Sequence, residues 1–276
     1  METQTNMVPT PVGELAVRVV GAGRPTVLWQ SLFVDERSWE RIEPHLGQDR
    51  QLVSITGPGH GRSGDPGRLY TMEDCVQAAR VVLDSLDITA PVDWVGNAWG
   101  GHVGIMFATR WPERCRTLVT VGTPAQPLNA KERLATRFLL LAHRLVGPVG
   151  LITNGVAEKM LSRTTRERDA AAVAYLAGCI TSADRATLRR AVVSTSLRRD
   201  DLLALLPSVQ APTLFITGAD HVGWTPTQAE AASGLLPRGS CAVIPDAAYL
   251  APLEAPAETA RLIRLFWAAH PDQAAA

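Results

Sequence analysis

The 276-residue sequence has no excess of charge of either sign, because 27 lysine and arginine residues balance 27 aspartate and glutamate residues. This balance gives no sign of nucleic-acid binding, and no basic run points to a membrane surface. The most apolar window, Phe138 to Ala142, is far too short to span a bilayer. The N-terminus also lacks the basic and apolar stretches of a signal peptide. We therefore expect a cytoplasmic protein with neither a membrane nor a nucleic acid as partner.

Cysteine is scarce, with four residues scattered along the chain at Cys75, Cys115, Cys179 and Cys241. No two of them have the spacing of a metal site, and we interpret all four as buried free thiols. A glycine-rich phosphate loop is missing too, because Gly21-Ala22-Gly23 lacks the third glycine and the strand–helix setting of that motif. The sequence therefore implies no metal and no cofactor, and a chain of this length buries a core without them.

Short β-rich runs alternate with helical patterns along most of the chain. Most of these runs are continuously apolar, which is typical of parallel strands that helices cover on both faces. The predicted strands are 26–29, 51–56, 92–96, 117–121, 213–217 and 241–244. A helix is predicted from Met72 to Leu86, because its apolar residues recur at spacings of three and four. The alternation predicts a mostly parallel, doubly wound α/β sheet, with the residues up to Val20 in a hairpin at its edge.

One stretch, residues 126–206, breaks this alternation because it contains no convincing strand. The helices predicted within it are 130–146, 156–161, 166–180 and 183–196. We therefore divide the chain into an α/β core, residues 1–125 and 207–276, and a helical cap, residues 126–206. An insertion at this point would lie over the carboxyl ends of the strands, where open α/β sheets bind ligands.

The sharpest local signal is the segment Gly96-Asn97-Ala98-Trp99-Gly100, which follows a predicted strand and precedes a predicted helix. Its glycine spacing is that of the nucleophile elbow, G-x-S-x-G, in which a strained turn needs small residues on either side. Ala98 stands at the position of the nucleophile in this pattern.

Together with four further segments in a fixed order, the elbow resembles the α/β-hydrolase superfamily over nearly the whole chain. The further segments are the glycine-rich loop 57–63, the helix and strand at 107–124, the strand approach at 211–214, and Pro-Leu-Glu-Ala-Pro at 252–256. The resemblance implies the α/β-hydrolase fold with a helical cap insertion. It also implies where the catalytic residues of that superfamily would stand in this sequence.

On this alignment, all three members of the superfamily's Ser-His-Asp triad are replaced. The nucleophile position is Ala98, whose methyl group can neither attack nor donate a proton. The acid position is His221, although a one-residue shift would restore Asp220, and the base position is Tyr249. Gln30-Ser31 replaces the His-Gly pair of the oxyanion strand. We therefore do not expect a serine hydrolase of the usual triad type.

The remaining groups still allow carbonyl chemistry at the elbow. Backbone N–H groups near Trp99 and Leu32 are expected to point at one spot, where such donors polarise a carbonyl or stabilise an enolate. His221 and Tyr249 are expected to be neighbours, to hydrogen bond and to act as a catalytic acid–base pair. The expected substrate-binding residues are Gln30, Ser31, Leu32, Phe33, Asn97, Ala98, Trp99 and Trp224.

Three functions remain open from the sequence. The first is a cofactor-free, non-hydrolytic enzyme that tailors a hydrophobic small molecule by proton transfer, cyclisation, elimination or C–C bond formation. The resemblance favours it, because superfamily members without the triad occur in specialised metabolism, and polyketide-like antibiotic biosynthesis is the specific hypothesis. The second is a receptor, carrier or resistance protein that binds a ligand without turnover. The third is an atypical hydrolase with a displaced nucleophile or an activated water. Neither the substrate nor the oligomeric state follows from the sequence.

Overall fold

The computed structural model describes residues 3–271, so residues 1–2 and 272–276 of the expected core lie outside the described part. Eight strands form one sheet in the order β1-β2-β4-β3-β5-β6-β7-β8. The strands are β1 (Thr3–Thr10), β2 (Gly13–Val20), β3 (Arg24–Trp29), β4 (Arg50–Ile55), β5 (Val92–Asn97), β6 (Cys115–Val121), β7 (Thr213–Gly218) and β8 (Gly239–Ile244). Strand β2 pairs antiparallel with β1 and β4, and all other neighbours are parallel. The predicted α/β-hydrolase fold with a mostly parallel sheet is confirmed.

Helices cover both faces of this sheet. They are α1 (Glu43–Leu46), α2 (Met72–Ser85), α3 (Trp99–Arg110), α4 (Ala130–Val146), α5 (Gly150–Met160), α6 (Arg163–Arg168), α7 (Ala170–Ser182), α8 (Arg185–Val192), α9 (Pro226–Ser233), α10 (Ala251–Glu254) and α11 (Pro256–Ala269). Helix α2 begins where the sequence predicts, because Thr71 and Asp74 form a capping box. None of the helices described between residues 3 and 271 is long and apolar enough to cross a bilayer.

Alternate residues of each strand face opposite sides of the sheet. In β3, Val27 and Trp29 belong to one core cluster together with Val76 of α2. Leu28 between them belongs to a second cluster, together with Ile263 of α11. Burial on both faces explains why these strands are continuously apolar in the sequence.

Five helices, α4 to α8, lie between β6 and β7, and we refer to them as the helical insertion. A π-helical turn (Val193–Leu197) and a 3-10 helix (Leu203–Ser208) lead from the insertion back to the sheet. A third core cluster joins α5 and α7 to Val34 and Leu250, which lie on the loops after β3 and β8. The insertion therefore covers the carboxyl ends of these two strands.

Two local expectations from the sequence are corrected. The helix predicted at residues 166–180 is two helices, because Asp169 ends α6 and its side chain accepts the Ala172 N–H at the start of α7. All four cysteines are free, but only Cys75 and Cys115 are buried. Cys241 is partly exposed because β8 is an edge strand, and Cys179 is partly exposed on α7 of the insertion.

Candidate active site

The turn between β5 and α3 keeps the strained conformation of a nucleophile elbow. Ala98 has φ 46° and ψ −102°, which is unfavourable for a residue with a Cβ and costs on the order of 1–3 kcal/mol. A Cβ on Gly96 would lie 2.2 Å from the Gly100 carbonyl, and one on Gly100 would lie 2.0 Å from the Trp29 oxygen. The two glycines are therefore required by close backbone contact. The elbow is fully formed although its central side chain is a methyl group.

Some backbone groups of the elbow form hydrogen bonds within the protein, and another is placed to contact a ligand. The Ala98 N–H donates to the Val121 carbonyl at 2.7 Å, and the Ala98 carbonyl accepts from Gly101 and His102. The Trp99 N–H is the first of α3, so the helix itself offers it no acceptor, and the helix dipole favours negative charge there. This amide is therefore placed to bind a carbonyl oxygen or an oxyanion.

His221 and Tyr249 lie next to each other on the loops after β7 and β8. Their ring centroids are 3.6 Å apart, and the ring planes are tilted by 34°. The Gly223 N–H donates to His221 Nδ1 at 3.1 Å, and His221 Nε2 lies 3.4 Å from the Gly122 carbonyl. Because Nδ1 accepts, these contacts assign the imidazole proton to Nε2. The two side chains are thus brought together as a stack, with both histidine nitrogens bonded to backbone, and the expected hydrogen bond between them is replaced by ring contact.

Burial sets the protonation states of this stacked pair. It lowers the pKa of His221 to about 4, so that the imidazole is neutral at pH 7. It raises the pKa of Tyr249 to about 12, against the smaller opposing effect of the Arg199 charge. The phenol therefore keeps its proton, and the pair offers a proton donor rather than a strong base.

Some polar atoms of the side chains around the elbow form hydrogen bonds within the protein, and others have no partner. Asn97 Nδ2 donates to the carbonyls of Val121 at 2.9 Å and Tyr249 at 2.7 Å, which fixes the Tyr249 loop to the elbow. Gln30 Oε1 accepts the Gly57 N–H at 3.2 Å. In contrast, Gln30 Nε2 and Ser31 Oγ are buried and make no hydrogen bond to any described residue. Such unpaired buried atoms are uncommon.

The two tryptophans expected at the site place their rings in the core. The Trp99 ring packs against Trp29 and His60, with ring centroids 5.8 and 5.4 Å apart. The Trp224 ring packs edge-on against Phe215 at 5.9 Å. The structure thus brings the backbone of Trp99 to the elbow, but both indoles lie inside the main core cluster.

Leu32 and Phe33 follow β3 on the oxyanion side of the elbow. Leu32 is buried, and Phe33 has φ 71°, another left-handed position at a residue with a Cβ. The Phe33 ring lines a cavity of about 550 Å³ between the loops after β3 and β4 and helices α7 and α8. His60, Cys179 and Thr187 also line this cavity, which lies beside the elbow rather than over it. Within residues 3–271, no group of three or more His, Cys, Asp or Glu residues is arranged to hold a metal ion.

Arg199 is a buried charged residue near Tyr249 that sequence reasoning missed. It follows the π-helical turn, is only 8% exposed, and donates from Nη2 to the Gln126 carbonyl. Its Nε has no hydrogen-bond partner, and no carboxylate of a described residue lies within ion-pair distance. Burial lowers the pKa of Arg199, and its charge acts on Tyr249 and on His102. A run of charged residues, Arg198 to Asp201, gave no signal of this burial in the sequence.

Comparison with known proteins gives one family and several relatives. The sequence model described as the alpha/beta hydrolase family matches residues 21–262. The chain is similar to a 2-hydroxy-6-oxo-2,4-heptadienoate hydrolase of Pseudomonas putida, with 32% identity over 120 residues. That stretch covers 43% of this chain and 41% of the relative, so the match spans about two fifths of the hydrolase's length.

Two longer matches extend over most of the chain. A cis-3-alkyl-4-alkyloxetan-2-one decarboxylase of Shewanella oneidensis is 28% identical over 221 residues, 72% of this chain and 67% of that protein. Among solved structures, an esterase from Thermogutta terrifontis superposes with a TM-score of 0.89 and 24% identity. This superposition covers 97% of this chain and 100% of the esterase, and at that identity it shows the fold alone.

Proposed function

The chain belongs to the alpha/beta hydrolase family, and from that premise we propose that it acts on a small carbonyl compound without forming an acyl-enzyme. The observation that carries the proposal is Ala98, which holds the strained elbow conformation but has no nucleophilic atom. A turn that costs on the order of 1–3 kcal/mol is accounted for if it still presents the Trp99 amide to a ligand.

In this proposal the amides of Trp99 and Leu32 hold the carbonyl oxygen, and Tyr249 supplies a proton. With an ester or lactone, water adds to the carbonyl carbon and the carbon–oxygen bond of the leaving group breaks. The leaving oxygen takes the phenolic proton, and the phenolate recovers a proton from the water that attacked. One oxyanion donor contributes roughly 10²–10³-fold to such a rate, and a general acid roughly 10²–10⁴-fold. Turnover is therefore expected to be slower than that of a complete triad.

Arg199 supports a substrate that carries an anionic group. A buried guanidinium without an ion pair is costly, and a bound carboxylate would supply the missing partner. The similar Pseudomonas hydrolase is named for a heptadienoate, a compound with both a carbonyl and a carboxylate. We extend that substrate class, an oxo or enol acid or its lactone, to this chain as part of the proposal.

A ligand-binding protein without turnover is the second candidate, favoured by one observation. Both nitrogens of His221 are bonded to backbone, so the site holds no free strong base to activate water. The polyketide-tailoring hypothesis stays a prediction, because the two sequence relatives described above are named a hydrolase and a decarboxylase and lend it no specific support. The cytoplasmic location and a hydrophobic small molecule as the partner stay predictions as well.

The test is a panel of aryl esters, enol lactones and oxo acids, followed by mass spectrometry with the wild type and two matched variants. Tyr249→Phe removes the proton donor and is expected to lower kcat by 10²-fold or more with little change in KM. Tyr70→Phe removes another buried phenol, which has no hydrogen-bond partner among the described residues, and should leave kcat unchanged.

Three other results of this experiment would each overturn a different part of the proposal. Equal kcat values for the two variants would exclude Tyr249 as the proton donor. Binding of the panel compounds without any conversion would favour the binding protein. Conversion without uptake of water would favour the non-hydrolytic enzyme.

A further inference from the structure

Helix α4 of the helical insertion exposes a stripe of apolar side chains to solvent. Leu134, Phe138, Leu141 and Leu145 recur at spacings of four, three and four, so they form one stripe along the helix. These four side chains are between 50% and 71% exposed. The opposite side carries the buried His143 and the partly buried Leu139 and Leu140, which pack against the core clusters. An ordinary surface helix has polar residues on the side that faces away from the core, so the outward stripe of α4 is unusual.

The apolar surface continues past the end of α4. Val146 and Val149 are exposed at the turn into α5, and Leu151 in the first turn of α5 is 85% exposed. Contiguous exposed apolar patches of this kind mark interaction sites. The stripe on α4, from Leu134 to Leu145, is about 17 Å long at a rise of about 1.5 Å per residue.

Basic residues border the stripe, and acidic residues are missing from it. Arg137 and Arg144 are exposed, and each directly precedes a residue of the stripe, so both lie on the same flank. Lys131 is exposed near the start of the helix. Between Arg133 and Ala157 the sequence has no acidic residue at all. The one acid of α4, Glu132, is bonded to the Asn129 N–H in the capping box.

We propose that α4 and the turn into α5 dock on an anionic lipid surface. In this arrangement the apolar stripe enters the boundary between headgroups and acyl chains, while Arg137 and Arg144 contact lipid phosphates. An apolar stripe with a basic border is the pattern of helices that lie in the membrane interface without crossing it. Composition shows no such signal, because the chain is neutral overall and its basic residues are brought to one surface only by the helical spacing.

Charge favours lipid over a second copy of the chain. If two copies of the chain paired antiparallel through α4, the same flank of each helix would lie against its counterpart. Arg137 and Arg144 of one copy would then face the same two arginines of the other copy. A parallel pair would set them against the flank with Lys131. Neither arrangement offers an acidic partner, whereas anionic headgroups do.

The test is co-sedimentation of the full chain with vesicles of phosphatidylcholine alone or mixed equally with phosphatidylglycerol. The wild type is expected to bind the mixed vesicles and to be released by high salt, since each basic residue near such a surface contributes about fivefold in affinity. Arg137→Gln with Arg144→Gln should therefore weaken binding about 25-fold. Phe138→Ser with Leu145→Ser should weaken it at least tenfold.

Leu265→Ser is the matched control, because Leu265 is 56% exposed on α11, which packs with the second core cluster rather than with the insertion. All variants change exposed side chains, and circular dichroism verifies that each is folded. Wild-type protein that ignores the mixed vesicles would overturn the proposal. An equal loss of vesicle binding in Leu265→Ser and in the stripe variants would also overturn it. So would a dimer of the wild type that sediments without vesicles and that Phe138→Ser with Leu145→Ser converts to monomer.

Discussion

Two buried arginines give predictions of different size for the same substitution. Arg199 is 8% exposed and Arg50 is 7% exposed. Arg50 forms an ion pair with the fully buried Asp93, and its guanidinium lies 3.9 Å from the centroid of the Trp267 ring. Arg199 has a carbonyl as its hydrogen-bond partner and an unpaired Nε. Methionine fills a similar volume without charge. Replacing each arginine by methionine therefore distinguishes an arginine that forms a structural ion pair from one whose guanidinium is held for a ligand.

The magnitudes follow from these contacts. Removing one partner of a buried ion pair costs about 3–5 kcal/mol, and the lower end applies to Arg50→Met because Arg116 also bonds Asp93 at 2.6 Å. For Arg199→Met, the loss of a charged hydrogen bond, about 1.5–3 kcal/mol, is offset by the desolvation of the ion, which costs several kcal/mol. With about 2–4 °C per kcal/mol, Arg50→Met should lower Tm by roughly 6–12 °C, and Arg199→Met by less than about 4 °C.

The assay is thermal unfolding followed by circular dichroism, with and without a saturating small oxo acid. The acid should raise the Tm of the wild type and leave that of Arg199→Met unchanged. If Arg199→Met lowers Tm as much as Arg50→Met does, Arg199 is a structural residue. The reasoning that assigns it to an anionic substrate would then be refuted.

Further predictions concern the elbow and the histidine. The variant Ala98→Ser alone should not react with a fluorophosphonate, because residue 249 is a tyrosine and not a histidine that could act as the base. Adding His221→Asp and Tyr249→His should allow the serine to be labelled, and intact mass detects the label. Labelling of the single variant would contradict the assignment. Burial lowers the pKa of His221 to about 4, below that of the unfolded chain, so its contribution to stability is complete above pH 6.5 and is lost as the pH falls toward 4. Between pH 7 and 5 the loss is about 2 kcal/mol, and urea unfolding of His221→Gln should lack that part of the pH dependence.

The fold was predictable because its signals are local and repeated. Continuous apolar runs became buried parallel strands, and the capping box at Thr71 started α2 where expected. The elbow was predictable because close backbone contacts at Gly96 and Gly100 leave no room for a Cβ. Both positions therefore require glycine, and the pair is visible in the sequence. The helix predicted at residues 130–146 is present with those bounds.

Side-chain direction was not predictable. Periodicity shows that α4 has an apolar face, but not that this face points to solvent. Alignment shows that His221 and Tyr249 are neighbours, but backbone bonds to both imidazole nitrogens decide that they stack. Arg199 stands in a charged run typical of a surface loop, and only the packing of the insertion buries it.

Carbonyl chemistry without an acyl-enzyme can be tested by the intact mass of the protein during turnover in ¹⁸O-labelled water. We expect the protein mass to stay unchanged while ¹⁸O from water enters the acid product. A protein adduct with the mass of the acyl group, mapped to a residue such as the buried Ser31, would show a displaced nucleophile and contradict the claim.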